Sequence, residues 1–158
     1  MMKKFVFQFL FVVLACRVHA TTVVVNGLNY DLTLQTNAAV CTGLANPASD
    51  FITVSVEDYI TVDDSQYKVI EIGDGAFYNC YYLQNIELPS TLRNIGYAAF
   101  AKCSNLENIV FPDNLEVIEK DAFALCSGLT SLYIPANVVE LGNSHDSNVF
   151  LSCSNLKS

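Results

Sequence analysis

The same side chains return every 23 residues along the second half of the chain. Phe77, Phe100 and Phe123 are spaced by 23, and so are Cys80, Cys103 and Cys126. The step also carries Leu83 to Leu106 and Leu129, Pro89 to Pro112 and Pro135, and Ile72 through Ile95 and Ile118 to Leu141. A further unit comes late. Phe150, Cys153 and Leu156 follow their predecessors by 27, so four residues are inserted between Leu141 and Phe150. A unit this short buries its apolar side only by stacking on its neighbours, which makes the expected architecture a solenoid.

Within a unit, Leu83-Gln84-Asn85-Ile86-Glu87-Leu88-Pro89 alternates inward Ile86 and Leu88 with outward Asn85 and Glu87. That is the period of a short strand, and the proline ends it by withholding a ladder donor. Stacked units place such strands in a parallel sheet about 4.8 Å apart. A second apolar pair, Leu92 with Ile95, Leu115 with Ile118 and Val138 with Leu141, lines the return side. The Ala-Phe step and the residues before each Cys predict a tight turn or a short 3₁₀ piece.

The run Ile-Gly-x-x-Ala-Phe-x-x-Cys-x-x-Leu-x-x-Ile-x-Leu-Pro from Ile72 to Pro89 resembles the BspA-like class of leucine-rich repeat. The resemblance extends from Val69 to Ser158. It implies a leucine-rich-repeat solenoid of short parallel strands stacked with turns or short 3₁₀ helices, with three full units and an incomplete fourth over residues 69–158. Residues 21–68 are then a β-rich N-terminal cap, because Gly27-Leu28-Asn29-Tyr30 and Gln66-Tyr67-Lys68-Val69 are similar to the family's leading strands. A cap also has a physical rationale: the first turn of a solenoid otherwise opens its apolar interior to water. Alternating runs at Thr22 to Tyr30, Phe51 to Val56 and Tyr59 to Val62 suit short strands, with turns at Asn46-Pro47 and Asp63-Asp64-Ser65. The chain stops at Lys157-Ser158, where the strand of the fourth unit is due, so it reads as a fragment or a stack that ends open.

Met1-Met2-Lys3-Lys4, the apolar run from Phe5 to Cys16 and the small-residue pattern Val18-His19-Ala20 predict a signal peptide over residues 1–20, cut after Ala20. The apolar run falls short of the roughly 20 residues that cross a bilayer as a helix, so no integral span is expected in the mature chain. The alternative is lipoprotein anchoring at Cys16, in Val13-Leu14-Ala15-Cys16. Lys3, Lys4 and Arg17 leave with the leader, so five basic residues face sixteen acidic ones and the formal charge moves from −8 to −11. Such a surface repels phosphate backbones, which argues against nucleic acid as a partner.

The chemistry-bearing residues do not converge on a catalytic site. Cys80, Cys103, Cys126 and Cys153 occupy one position in successive turns, so a ladder of free thiols bonded weakly to neighbouring carbonyls is expected, with Cys41 alone in the cap. Their Cβ vectors run side by side, which disfavours disulfides, and ligands spaced in a row do not close a tetrahedral metal site. His145, the one histidine left after cleavage, lies in the polar insertion Asn143–Asn148. Neighbouring residues in such a loop do not nest as a triad. Glu57-Asp58 and Asp63-Asp64 lack calcium-ligand spacing. No enzyme, cofactor or metal is expected.

A binding module remains, secreted or at the cell surface, taking a protein or cell-surface ligand; the resemblance to BspA-like proteins implies a surface or secreted adhesin. The alternative is a structural fragment of a larger surface protein with no ligand of its own. Inward Ile86, Ile109 and Leu132 are held apolar by packing, whereas outward Asn85, Asn108 and Ser131, and Glu87, Val110 and Tyr133, change from turn to turn. These six are the expected partner-binding positions, with the Asn143–Asn148 loop next.

Overall fold

The computed structural model describes residues 21–46, 51–142 and 148–157. The expected signal peptide of residues 1–20 with Cys16, Pro47 of the expected Asn46-Pro47 turn, and residues 143–147 with His145 lie outside the described residues. The described chain starts as an antiparallel meander of β1 (Thr21–Val25), β2 (Leu28–Thr33) and β3 (Ala38–Leu44). Val25 pairs with Leu28, so Asn26-Gly27 alone makes the first turn, with φ of 50° and 81°. Two successive positive φ angles define the turn whose twist matches that of the strands it joins, and Asn-Gly is the sequence best suited to it. A second hairpin joins β5 (Tyr59–Val62) to β6 (Ser65–Ile72), and its tip is the acidic pair Asp63-Asp64, with φ of 46° and 63°.

Strand β6 converts this antiparallel region into a stack. Its second half lies parallel to β3 on one side and to β8 (Asn94–Ile95) on the other. Beyond β8 come β10 (Val117–Ile118) and β11 (Glu140–Leu141), parallel and in register, so Ile72, Ile95, Ile118 and Leu141 form one row. The opposite side carries a second parallel sheet of β4 (Thr53–Ser55), β7 (Asn85–Glu87) and β9 (Asn108–Ile109). Val54, Ile86 and Ile109 are its inward row, and all three are buried. The strands expected around Ile86 and Ile109 are therefore present, and the return side is a sheet in its own right.

One expected row is incomplete. Residues 131–133 adopt no strand, and Leu132 is half-buried where Ile86 and Ile109 are buried. The described part of the next turn stops at Lys157, whose N–H donates to the Thr130 carbonyl, so no described strand follows to pair with this segment.

The third side is built of turns, and among the described residues no helix occurs there or elsewhere. Gly75, Phe77 and Asn79 donate their N–H groups to the carbonyls of Tyr97, Ala99 and Ala101 in the next turn of the stack. Between them, Ala76, Tyr78 and Cys80 donate back to Gly73, Gly75 and Phe77. The scheme repeats one unit on, with Ala98, Phe100 and Lys102 donating to Lys120, Ala122 and Ala124. Alternate N–H groups thus close local turns and bridge to the neighbour, which satisfies the backbone without a helix. The backbone swings through the left-handed region at Gly75, Ala98 and Asp121, and again at Asn79, Lys102, Leu125 and Ser152, equivalent positions in each unit.

The interior is one continuous apolar column. Phe77, Phe100 and Phe123 are fully buried, and their rings stack at 5.3 and 5.1 Å, with Phe150 5.7 Å beyond Phe123. Leu83, Leu106 and Leu129 run alongside. Leu28, Tyr30, Leu32 and Cys41 of the meander belong to the same core, so the antiparallel strands cover the start of the column.

Candidate binding surface

Each strand of the β4–β7–β9 sheet sends one residue into the column and its two neighbours to solvent. Asn85 and Glu87 flank buried Ile86 and are exposed; Asn108 is exposed beside buried Ile109. Asn85 and Asn108 are in register, one strand apart. Val110 is 81% exposed and Tyr133 75%, and Ser131 is exposed in the last row. All six expected contact positions therefore face water, four of them on or beside paired strands and two on the strandless continuation at residues 131–133.

Thr53 and Ser55 were not among the expected positions, yet they open this same surface, in register with Asn85 and Glu87. Their strand is visible in the sequence as an alternation. Its membership of the sheet is not, because Thr53 precedes Asn85 by 32 residues and so breaks the 23-residue step. The hairpin of β5 and β6 occupies the difference.

The cysteine row is unbonded and thiol-to-carbonyl linked as expected, but does not lie at the one depth that its repeated position predicts. Sγ of Cys103 donates to the Phe77 carbonyl at 3.1 Å, Cys126 to Phe100 at 3.0 Å and Cys153 to Phe123 at 3.1 Å. All described cysteines are free thiols. Depth varies along the row: Cys103 and Cys126 are buried, while Cys80 and Cys153 at its two ends are half-buried. Burial pushes the thiols of Cys41 and Cys126 up to about 12 and raises those of Cys80, Cys103 and Cys153. A thiol held protonated is a poor nucleophile and a poor metal ligand. Among the described residues no group of three or more His, Cys, Asp or Glu could hold a metal ion. Among the described residues, those that line a shallow concavity, Leu141, Asn148, Val149, Phe150 and Leu151, include no ionisable side chain. No helix among the described residues is long and apolar enough to cross a membrane.

Residues 58–158 match the family model described as the BspA type leucine rich repeat region, in six copies. The chain belongs to the BspA-type leucine-rich repeat family. Among solved structures, this BspA-type chain is similar to a leucine-rich repeat protein from Bacteroides capillosus ATCC 29799, with 24% identity, a TM-score of 0.74, and coverage of 87% of this chain and 95% of that one. It is also similar to the leucine-rich repeat protein of T. pallidum, at 25% identity and a TM-score of 0.67 over 86% of this chain and 69% of that one. A leucine-rich repeat protein from Bacteroides ovatus ATCC 8483 matches at 27% identity and a TM-score of 0.66, over 85% of this chain and 40% of its own length. No curated protein matches the chain. The neighbours fix the fold of a bacterial type of leucine-rich repeat, and fold alone does not specify a ligand.

Proposed function

We propose that this BspA-type repeat protein is a binding module, secreted or displayed at a cell surface, that contacts a protein or cell-surface ligand through the outward side of the β4–β7–β9 sheet. The domain plan behind this reading is a leader over residues 1–20, a β-rich cap over 21–68 and the repeats over 69–158. Asn85, Glu87, Asn108, Val110, Ser131 and Tyr133 are its contact residues. One observation carries the reading: the inward row Ile86, Ile109 and Leu132 keeps one chemistry, while the outward row places Glu87, Val110 and Tyr133 in solvent with three different ones. Packing constrains the first row and leaves the second free to address a partner. Val110 and Tyr133 supply exposed apolar area, and aromatic side chains are enriched where interfaces concentrate their energy.

The experiment is joint replacement of Tyr133 and Glu87 by Ala, with binding measured against a partner that the intact mature protein retains from matrix or cell-surface extracts. Loss of binding with unchanged thermal stability supports the strand face. Unchanged binding moves the contact elsewhere, and an intact protein that retains no partner favours a purely structural repeat.

A further inference from the structure

Across its first four rows the strand face carries charge of one sign, and this suggests what those rows take. The four rows that build it and its margin are Phe51 to Asp58, Gln84 to Ser90, Glu107 to Asn114 and Thr130 to Asn137. They hold the carboxylates Glu57, Asp58, Glu87, Glu107 and Asp113, and no Lys, Arg or His. Asp58 is fixed at the margin, where its carboxylate accepts the Ser90 N–H at 2.6 Å and the Ser90 hydroxyl at 2.7 Å. The cationic side chains lie elsewhere. Lys68 is on β6, Arg93 pairs with Glu116 on the return side, and Lys102 and Lys120 belong to the turn side, where Lys102 lies over the Tyr78 ring. Lys157 reaches only the far edge, level with Thr130. Among the carboxylates stand the exposed apolar side chains Ile52, Val110 and Tyr133.

We infer that the strand face docks a cationic segment of a partner protein, one in which Lys or Arg alternates with apolar side chains. This rests on the reading of that face as the binding surface and specifies its partner. Uniform negative potential steers a basic partner in and rejects acidic ones, while burial of Ile52, Val110 and Tyr133 retains it. Tyr133 also offers a ring face to a Lys or Arg side chain. Among the described residues every basic side chain except Lys157 lies on the other two sides, so a second copy meets these four rows with like charge wherever its own four rows approach.

The test uses the mature protein and two fluorescent peptides, one alternating Lys with Leu and a twin with Glu in place of Lys, followed by anisotropy. The Lys peptide is expected to bind and the Glu peptide to fail. Raising salt from about 0.1 M to about 1 M shortens the screening length from about 10 Å to about 3 Å and should weaken binding by about tenfold. Glu87→Gln with Glu107→Gln should weaken it several-fold at low salt, whereas Glu140→Gln on the return side should not. Equal weakening by the two kinds of variant would show diffuse acidity and overturn the assignment. So would equal binding of the two peptides, or binding of neither. If the peptides fail but Tyr133→Ala still abolishes retention of an extracellular partner, the cationic assignment falls and the binding face stands. If Tyr133→Ala also leaves retention unchanged, both fall.

Discussion

Leu106 and Glu107 are adjacent in sequence and opposite in environment, the first fully buried in the middle of the column and the second exposed. Leu106→Ala leaves a cavity that turns above and below cannot fill, and should cost about 2–5 kcal/mol. Glu107→Ala should stay within about 0.5 kcal/mol. Denaturant midpoints of the two variants check this, and equal values would contradict the inward and outward assignment. The cysteine row adds a pH signature. Burial pushes the Cys126 thiol from its ordinary value of 9.0 up to about 12, so its contribution is fully present below pH 9 and is lost as pH rises toward 12, where the unfolded thiol is already ionised. Unfolding free energy should fall between pH 9 and 11, and less steeply in Cys126→Ala. At this scale the sequence was informative, because a position repeated at every 23 residues is one that packing constrains. What it did not reveal was depth: Cys80 and Cys153 have the same letter as Cys126 but lie at the ends of the row.

At the scale of elements, the strands were legible and their partners were not. Alternation marked Phe51 to Val56 as extended, yet only the register of Thr53 with Asn85 shows that it is the first rung of the strand face. Likewise the pair Leu92 and Ile95 predicted an apolar return side without revealing a second parallel ladder, because two-residue strands are defined by their neighbours rather than by a pattern of their own. The Ala-Phe step is compatible with either turns or a short 3₁₀ helix, and the bridging N–H groups of Gly75, Phe77 and Asn79 decide for turns. The joint between the meander and the stack depends on a glycine. Gly43 in β3 has φ +116°, and a Cβ there would lie 1.9 Å from the Ala76 carbonyl oxygen. Gly43→Ala should therefore cost at least about 1–3 kcal/mol from backbone strain alone, with more from the displaced turn. Amide exchange resolves where the cost falls: protection should drop first in β3 and around Ala76. A uniform loss along the whole stack would contradict a local joint.

The molecule as a whole is a column with three kinds of wall: a strand face, a return sheet and a side of bridged turns. Its interior repeats because each turn must match the next, and its exterior is released from that constraint, most visibly where Val110 and Tyr133 stand in solvent. The repeat could be read from spacing alone, and the family from the resemblance of its motif; which wall carries function could not, because all three expose varied side chains. Walls are told apart by what they expose together, and among the described residues the first four rows of the strand face combine exposed apolar groups with carboxylates and no basic side chain. A footprint of the bound partner distinguishes the walls directly, by amide exchange and hydroxyl-radical labelling of the protein with and without it. Protection is predicted at Asn85 to Glu87, Asn108 to Val110 and Ser131 to Tyr133, with the return-side residues Arg93, Glu116 and Val139 unchanged. Protection of the return side with Val110 and Tyr133 still fully labelled would contradict the assignment of the strand face as the binding surface.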